Sequence, residues 1–141
     1  MKRLRSTIIM AGLLTLLGCA GKRPDNLGVQ DGQLASCPDS PNCVSSFEDR
    51  ESHGIAPISA SLAQVRQAIE NMEGAQIISE GDGYLHAEFT TKLMGYVDDV
   101  EILESANEGI CHVRSASRLG YSDMGVNRKR VEAIRESVAN G

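Results

Sequence analysis

Titratable side chains that could hold a metal, bind an anion or transfer a proton are concentrated between residues 84 and 118. Apolar and polar residues alternate in this part of the chain, which is the period of a half-buried strand. The polar positions share one predicted sheet face: His86, Glu88, Asp99, Glu101, His112, Arg114 and Arg118. Histidines and carboxylates that converge on one face are typical of ligand-binding and acid–base sites.

The two tight connections between these strands allow their register to be estimated. Centring them on residues 93–94 and 106–107 aligns the polar positions in two rows across the sheet. The rows are His86, Glu101 and His112, and beside them Glu88, Asp99 and Arg114. A one-residue slip at either turn would send the whole set to the opposite face, so this prediction depends on the register.

Three interpretations of this face are open from the sequence. The first is a solvated surface whose cross-strand ion pairs contribute roughly 0.2–1 kcal/mol each. The second is a polar ligand-binding pocket, since the like-charge pair of Glu88 opposite Asp99 is a weakness of the first interpretation. A purely structural surface avoids such a pair unless Arg114 or Lys92 neutralises it. The third is a zinc or iron site with the ligands His86, Glu101 and His112.

A second candidate site lies between the last predicted strand and the last predicted helix, in the sequence RLGYSDMGVNRKR. The basic residues at 128–130 would fall in the first turns of the helix, where each opposes the helix dipole by about 0.3–1 kcal/mol. Either Asp98, Asp99 or Glu104 pairs with them, or the helix N-terminus binds a phosphate or a carboxylate. The predicted contacts of such an anion are Arg118, Ser122, Asn127 and Arg128.

The sequence carries no specific catalytic motif. The stretch GYSDMG (120–125) is one residue too long for a Gly-x-Ser-x-Gly nucleophile elbow, and there is no Walker loop, HExxH or EF-hand loop. We therefore predict no cofactor and favour a binding or interaction module over an enzyme. One alternative is a small hydrolase or metal-assisted enzyme with His86 or His112 as the base and Glu88 or Asp99 as its orienter. The other is a purely structural envelope lipoprotein.

Two amphipathic helices and four strands are predicted around these sites. Ser61 and Gln64 form a capping box at the start of the first helix, Gly74 ends it, and the last helix runs to about residue 140. The strands are predicted at 75–79, 84–91, 97–104 and 110–118. This pattern indicates an α+β fold, with an antiparallel four-stranded meander and two helices packed on one face.

The start of the chain has the pattern of a bacterial export signal. A basic start and an apolar run lead to the sequence LLGC (16–19), which resembles a lipobox. We predict a lipoprotein signal peptide at 1–18, a flexible tether at 19–35 that begins at lipidated Cys19, and a single domain at 36–141. Ala20 stands where inner-membrane retention usually requires Asp, which implies the periplasmic side of the outer membrane. An uncleaved anchor and ordinary secretion are the alternatives.

Processing at Cys19 would make the protein strongly acidic. Residues 1–18 contain three basic and no acidic residues, so Lys+Arg would fall from 14 to 11 against 19 Asp+Glu, a net charge of −8. This charge argues against nucleic acid as a partner. The predicted partners are the membrane, through the lipid anchor, and an unidentified small anion or envelope protein.

The remaining cysteines indicate one disulfide. Cys37 and Cys43 enclose a short ring in the sequence CPDSPNC, in a compartment that permits oxidation, so we predict that they are bonded. The alternative is a metal pair completed by His53 or Cys111, although the spacing is not that of a structural zinc site. Cys111 is expected to be a small buried residue, and His53, in a polar loop, to be solvated.

Three long segments resemble a known family. They are CPDSPNCVSS (37–46), YLHAEFTTKLMGYVDDVEI (84–102) and HVRSASRLGYSDMGVNRKRVEAIR (112–135). In this order they resemble the uncharacterised bacterial family called domain of unknown function 1499, over residues 35 to 138. The resemblance implies an exported or membrane-attached protein, and it supplies no activity, substrate, cofactor or functional residue.

Overall fold

The computed structural model describes residues 20–141, so the predicted signal peptide and Cys19 lie outside the described residues. Five strands and two helices follow in the order β1 (Cys43–Ser45), α1 (Leu62–Glu70), β2 (Ala75–Gly81), β3 (Tyr84–Thr90), β4 (Val97–Ser105), β5 (Ile110–Ser117) and α2 (Val126–Asn140). Within this part of the chain, none of the helices has the length and apolar character needed to span a membrane.

The five strands form one antiparallel sheet in the order β1-β5-β4-β3-β2. The predicted α+β class and antiparallel meander are confirmed by β2 to β5, but the prediction of four strands is wrong. The fifth strand, β1, pairs with the outer edge of β5, with Cys43 opposite Ala116. Because β1 has only three residues, all buried, it shows no alternation from which sequence could identify it.

The apolar face of the sheet packs against both helices. Helix α1 begins with the predicted capping box between Ser61 and Gln64. The apolar positions of the helices and strands merge into one core, in which the fully buried side chains include Val65, Ile69, Leu85, Val100, Ile102, Val113, Val131 and Ile134. After α1 the chain turns at Gly74, where a Cβ would lie 2.5 Å from the carbonyl oxygen of Thr90, so only glycine fits.

The predicted register is right for one hairpin and wrong for the next. Between β3 and β4, Glu88 lies opposite Asp99 and His86 opposite Glu101, as predicted. Between β4 and β5 the pairing is shifted by two residues, so that Glu101 faces Arg114 and Asp99 faces Ala116. The connection closes between Ser105 and Ile110, a longer turn than the one assumed. An even shift preserves the sheet face, and only the neighbours change.

The disulfide between Cys37 and Cys43 is confirmed. Cys111 is a free, buried thiol, and its burial, with a contribution from the nearby Glu104 charge, raises its pKa to about 11. It is therefore a protonated core residue at neutral pH. The expectation that His53 is solvated is wrong: the ring is buried and its Nδ1 lies 3.0 Å from the carbonyl oxygen of Cys43.

Residues 20–36 lie along the polar face of the sheet, opposite the helices. Their composition is that of a tether, yet the backbone N–H of Gly28 donates to Glu101 and the guanidinium of Arg23 donates to Glu88. Leu34 of the same segment is buried. We call residues 20–34 the N-terminal strap. The sheet is thus covered on both faces, by helices on one and by the strap on the other.

Candidate functional site

The polar face of the sheet is a buried layer of charges under the N-terminal strap. Glu101 and Asp99 are 0% and 1% exposed, and His86 and Arg114 are also buried. We call this set the polar layer: His86, Glu88, Asp99, Glu101, Arg114 and Arg118. It is neither a solvated face nor an open pocket, because the strap closes it from outside.

Arg118 joins the two carboxylates that face each other across β3 and β4. Its Nε and Nη2 donate to the two oxygens of Asp99, at 2.8 Å each, and Nη2 also donates to Glu88. The like-charge pair between Glu88 and Asp99 is therefore neutralised by Arg118, rather than by Arg114 or Lys92 as the sequence suggested. Lys92 lies outside the layer, exposed, 3.3 Å from Glu73.

The pKa of the Asp99 carboxyl is well below its usual value. Burial would raise the pKa of its carboxyl, but the hydrogen bonds from Arg118 and then from His86, whose Nε2 lies 2.8 Å from Oδ1, outweigh it and lower the pKa to about 2. The pKa of Glu88 is lowered in the same way: burial raises it, and donors from Arg118 and Arg23 outweigh that effect. Both carboxyls are therefore ionised at neutral pH.

Glu101 is the second centre of the polar layer. Its Oε1 accepts from the hydroxyl of Tyr84 at 2.9 Å and from the backbone N–H of Gly28 at 2.7 Å, and its Oε2 lies 3.3 Å from Nη1 of Arg114. Burial and then the charge of Glu101 raise the pKa of Tyr84 above its usual value. The Nε of Arg114 is buried without a hydrogen-bond partner among the described residues. Glu101 is thus held by the sheet and the strap together.

The predicted metal ligands do not come together. His112 lies opposite Leu103 instead of Glu101, stacks on Phe47 with ring centroids 4.2 Å apart, and places Nδ1 3.1 Å from the hydroxyl of Ser46. This prediction failed because the register of the β4–β5 hairpin was misjudged by two residues. His112 therefore supports a loop and is separated from the polar layer.

A different set of potential ligand atoms does converge, in His86, Glu88 and Asp99, all within 4.8 Å of one another. Two carboxylates and an imidazole would suit a divalent transition metal. However, the guanidinium of Arg118 is hydrogen-bonded to both carboxylates and supplies the positive charge that a metal would supply. A metal could bind there only after Arg118 moved away.

The geometry of an acid–base pair is present between His86 and Asp99, but it is not accessible. A carboxylate that accepts from an imidazole is the arrangement that orients a catalytic histidine. Here the His86 side chain is 5% exposed, and Asp99 is also bound by Arg118 on both oxygens. The pair is built as part of an internal network and does not present a base to a substrate.

The predicted anion contacts at the strand-to-helix junction are largely used inside the protein. Asn127 is fully buried and bridges β1, β5 and the start of α2, accepting from Ser115 at 2.7 Å and donating to the carbonyl of Asn42 at 3.1 Å. Asp123 accepts from the backbone N–H groups of Gly125 and Asn127. The carboxylate of Asp123 therefore occupies the position at the helix N-terminus that a bound anion would take.

The basic residues of this junction also have internal partners. Arg130 donates to Asp98 at 2.6 Å, which confirms one of the acids predicted to pair with this basic run, and its guanidinium lies 5.0 Å from the ring centre of Phe89. Arg128 contacts the carbonyl of Ser52 at 3.3 Å. Two of the three basic residues at 128–130 are thus bound within the protein, while Lys129 is exposed.

An exposed apolar surface lies at the same end of the sheet and was missed by sequence reasoning. In residues 20–141, all the exposed large apolar side chains except Val29 lie in the β3–β4 loop or between residues 119 and 126. We call this the loop surface: Leu93, Met94, Tyr96, Leu119, Tyr121 and Met124. Leu93 is 93% exposed, Met124 87% and Tyr121 76%. Two loops thus present side chains that normally lie in a core.

The loop surface borders an open cleft of about 640 Å³. Tyr96 from one loop and Leu119 and Met124 from the other line it, with Asp98 and Ser117 at its base. A signal was present in the sequence, since TKLMGY (91–96) and LGYSDMG (119–125) place large apolar residues next to glycine, outside any strand or helix period. Apolar residues in loops have no core position to fill, so they indicate an exposed surface.

Comparison with known proteins supports the family resemblance and goes no further. No curated protein and no solved structure matches the chain significantly. A family model described as "Protein of unknown function (DUF1499)" matches residues 33–138, from the end of the strap through most of α2. The match covers the whole sheet, α1 and most of α2, and therefore this chain belongs to the DUF1499 family.

Proposed function

We propose that this protein is a lipid-anchored interaction module of the bacterial envelope, held on the periplasmic side of the outer membrane, and that it binds through the loop surface. One contrast carries the proposal. The titratable residues of the polar layer are covered by the strap and paired with each other, whereas the large apolar residues of two adjacent loops are exposed around a cleft. Exposed apolar patches of this kind mark interaction sites.

The same contrast argues against the enzyme alternatives. A general base needs access to the proton that it removes, and His86 is buried under the strap while His112 is engaged with Ser46 and Phe47. Binding surfaces, in contrast, are enriched in Tyr, Met and other large apolar residues. The composition of the loop surface therefore fits recognition rather than catalysis.

Anchoring through Cys19 can be tested by replacing this one thiol. In cells fed a clickable palmitate analogue, the wild-type protein should be labelled and sediment with outer membranes, since two or more acyl chains give stable attachment. Cys19→Ser should lose the label and leave the membrane fraction. Cys111→Ala is the matched control: it also removes a free thiol, but a buried one, and should keep both properties. Labelling of Cys19→Ser at the wild-type level would contradict the proposal.

The binding surface can be tested with a photo-crosslinking residue in the lipidated protein. Placed at Tyr121 it should give adducts in intact cells, with lipid or with protein. Placed at Asn107, in the exposed turn at the opposite end of β4, it should give several-fold less. Equal yields from both positions, or none from position 121, would show that the loop surface is not the interaction surface.

A further inference from the structure

The first described residues of the chain touch the loop surface. The backbone of Gly21 lies so close to the segment after β5 that a Cβ added there would lie 3.0 Å from Cγ of Leu119 and 3.0 Å from Cβ of Arg118. Leu119 is one of the six residues of the loop surface and is 46% exposed. The strap therefore starts at the edge of this surface.

Only Ala20 separates Gly21 from Cys19, so the two residues are two steps apart along the chain. A fully extended chain spans at most about 3.6 Å per residue, so the attachment point of a lipid on Cys19 lies within about 7 Å of Gly21. Acyl chains on Cys19 would enter the bilayer beside Leu119. The loop surface would then be the part of the domain nearest to the membrane.

The strap is also bound to the sheet, so it does not let the domain reorient freely relative to Cys19. Arg23 is bound to Glu88 by two donor atoms, at 2.6 and 3.0 Å, and Gly28 is bound to Glu101. A seventeen-residue free tether would have allowed any orientation, but a strap bound from its fourth residue, Arg23, onward permits very few. The strap therefore fixes which end of the sheet is presented to the lipid.

We propose that the loop surface inserts into the headgroup and upper acyl region of the bilayer that anchors the protein. This inference rests on the proposed function and names the partner of its interaction surface. Leu, Met and Tyr side chains at the tips of two loops are the residue types that partition into this region, where tyrosine keeps its hydroxyl in water. Lys92 and Lys129, both exposed and adjacent to the two loops, can contact anionic headgroups.

The charge of the rest of the molecule favours the same orientation. The processed chain is strongly acidic, so most of its surface is repelled by anionic lipid. Exposed acids such as Asp82 and Glu108 lie in the turns at the far end of the sheet. Apolar loops at one end and acidic turns at the other define a membrane-facing end and a solvent-facing end.

The chain has no tryptophan, so a single introduced tryptophan reports its own depth. Full-length lipidated Tyr121→Trp and, as the matched control, lipidated Asn107→Trp would be reconstituted in vesicles of phosphatidylethanolamine and phosphatidylglycerol. Both positions are exposed, and they are separated by the length of β4, nine residues or about 30 Å. Brominated acyl chains should quench the tryptophan at 121 and shift its emission to the blue, while the tryptophan at 107 should be unaffected.

The outcomes separate this inference from the proposed function. Acylated, vesicle-bound protein whose tryptophan at 121 is no more quenched than that at 107 would overturn the membrane-docked orientation while leaving the anchor intact. If crosslinks from position 121 then reach protein alone, the surface binds a protein partner. Protein without an acyl group on Cys19 would overturn both proposals. Far-ultraviolet circular dichroism identical to wild type would establish that each variant is folded.

Discussion

At the scale of single residues, the buried charges of the polar layer are matched one against another. Glu101, Asp99, Arg114 and Arg118 would each be costly to bury alone, because desolvation of an unpaired ion costs several kcal/mol. Here each carboxylate has an arginine and at least one further donor, either a histidine, a tyrosine or a backbone N–H. Removing one partner of an ion pair should therefore destabilise the fold more than removing both partners.

Arg114→Met should lower the free energy of unfolding by about 3–5 kcal/mol, because it leaves Glu101 charged and buried. The double variant Glu101→Gln/Arg114→Met should be more stable than Arg114→Met alone. Glutamine keeps an oxygen for Tyr84 and Gly28 without the charge. Urea unfolding followed by circular dichroism measures both differences.

Arg66→Met is the matched control for Arg114→Met. Arg66 pairs with Glu70 and Glu80 at 2.9 and 2.7 Å, but all three side chains are about 40% exposed. Its loss should cost much less stability than that of Arg114, because water screens an exposed ion pair. If Arg114→Met proved no more destabilising than Arg66→Met, the polar layer would not be a buried ionic network.

The lowered pKa of Asp99 predicts that the free energy of unfolding depends on pH. Its pKa is about 2 in the folded protein against 3.8 normally, so the unfolded chain binds the proton more readily. The stabilisation is complete above about pH 4 and is lost as the pH falls towards 2. Asp99→Asn should be less stable than wild type at pH 6 and should lose less stability between pH 4 and pH 2. Glu88, whose pKa is also lowered, should give both proteins some loss of stability at low pH. Parallel curves of unfolding free energy against pH for the two proteins would contradict the role of Asp99.

At the scale of elements, the N-terminal strap behaves as a part of the sheet domain. It contributes no strand to the sheet, but it donates a backbone N–H and an arginine to carboxylates of β3 and β4. A polar sheet face needs donors for its carboxylates, and the strap supplies two of them, Arg23 and the backbone of Gly28. Its glycines and polar residues suit this role, since a backbone without large side chains can approach the sheet closely.

Amide hydrogen exchange can test whether the strap is bound. The Gly28 amide, which donates to Glu101 at 2.7 Å, should exchange more than about tenfold more slowly than the Gly32 amide in the exposed turn of the same segment. Glu101→Gln should speed exchange of the Gly28 amide towards the rate at Gly32, because its acceptor loses the negative charge. Equal, fast exchange at both glycines would show that the strap is a free tether.

At the scale of the whole molecule, one hydrophobic core joins the sheet to both helices, with Val65 and Ile69 from α1 and Val131 and Ile134 from α2. Such a domain should unfold in a single transition. The disulfide closes a seven-residue ring outside this core, beside β1. It constrains the unfolded chain more than it holds the folded one together.

Cys37→Ser/Cys43→Ser should therefore lower the free energy of unfolding by roughly 2 kcal/mol, which is the loop-closure entropy of so short a ring. The denaturant slope should stay nearly the same, because the core is unchanged. The double variant should be insensitive to dithiothreitol, whereas wild type should approach its stability on reduction. Two separate transitions in the double variant would show that β1 and the core do not unfold together.

The sequence could predict the elements better than it could predict the site. Alternation identified the inward residues of β3 and β4, and the short β3–β4 loop placed Glu88 opposite Asp99 correctly. It failed at the β4–β5 turn, where the same alternation is compatible with any even shift, so His112 was assigned to the wrong neighbour. It also missed β1, since three buried residues have no period.

By itself, the sequence determined the α+β class, the pairing of Cys37 with Cys43 and which residues share the polar face, because these follow from local periodicity and spacing. Only the tertiary structure decided that this face is closed and that the exposed apolar surface lies elsewhere. The reason is that closure depends on contacts such as that between Gly28 and Glu101, which are 73 residues apart. The two loops are likewise far apart in the sequence, and they become one apolar surface only because antiparallel strands bring their ends together.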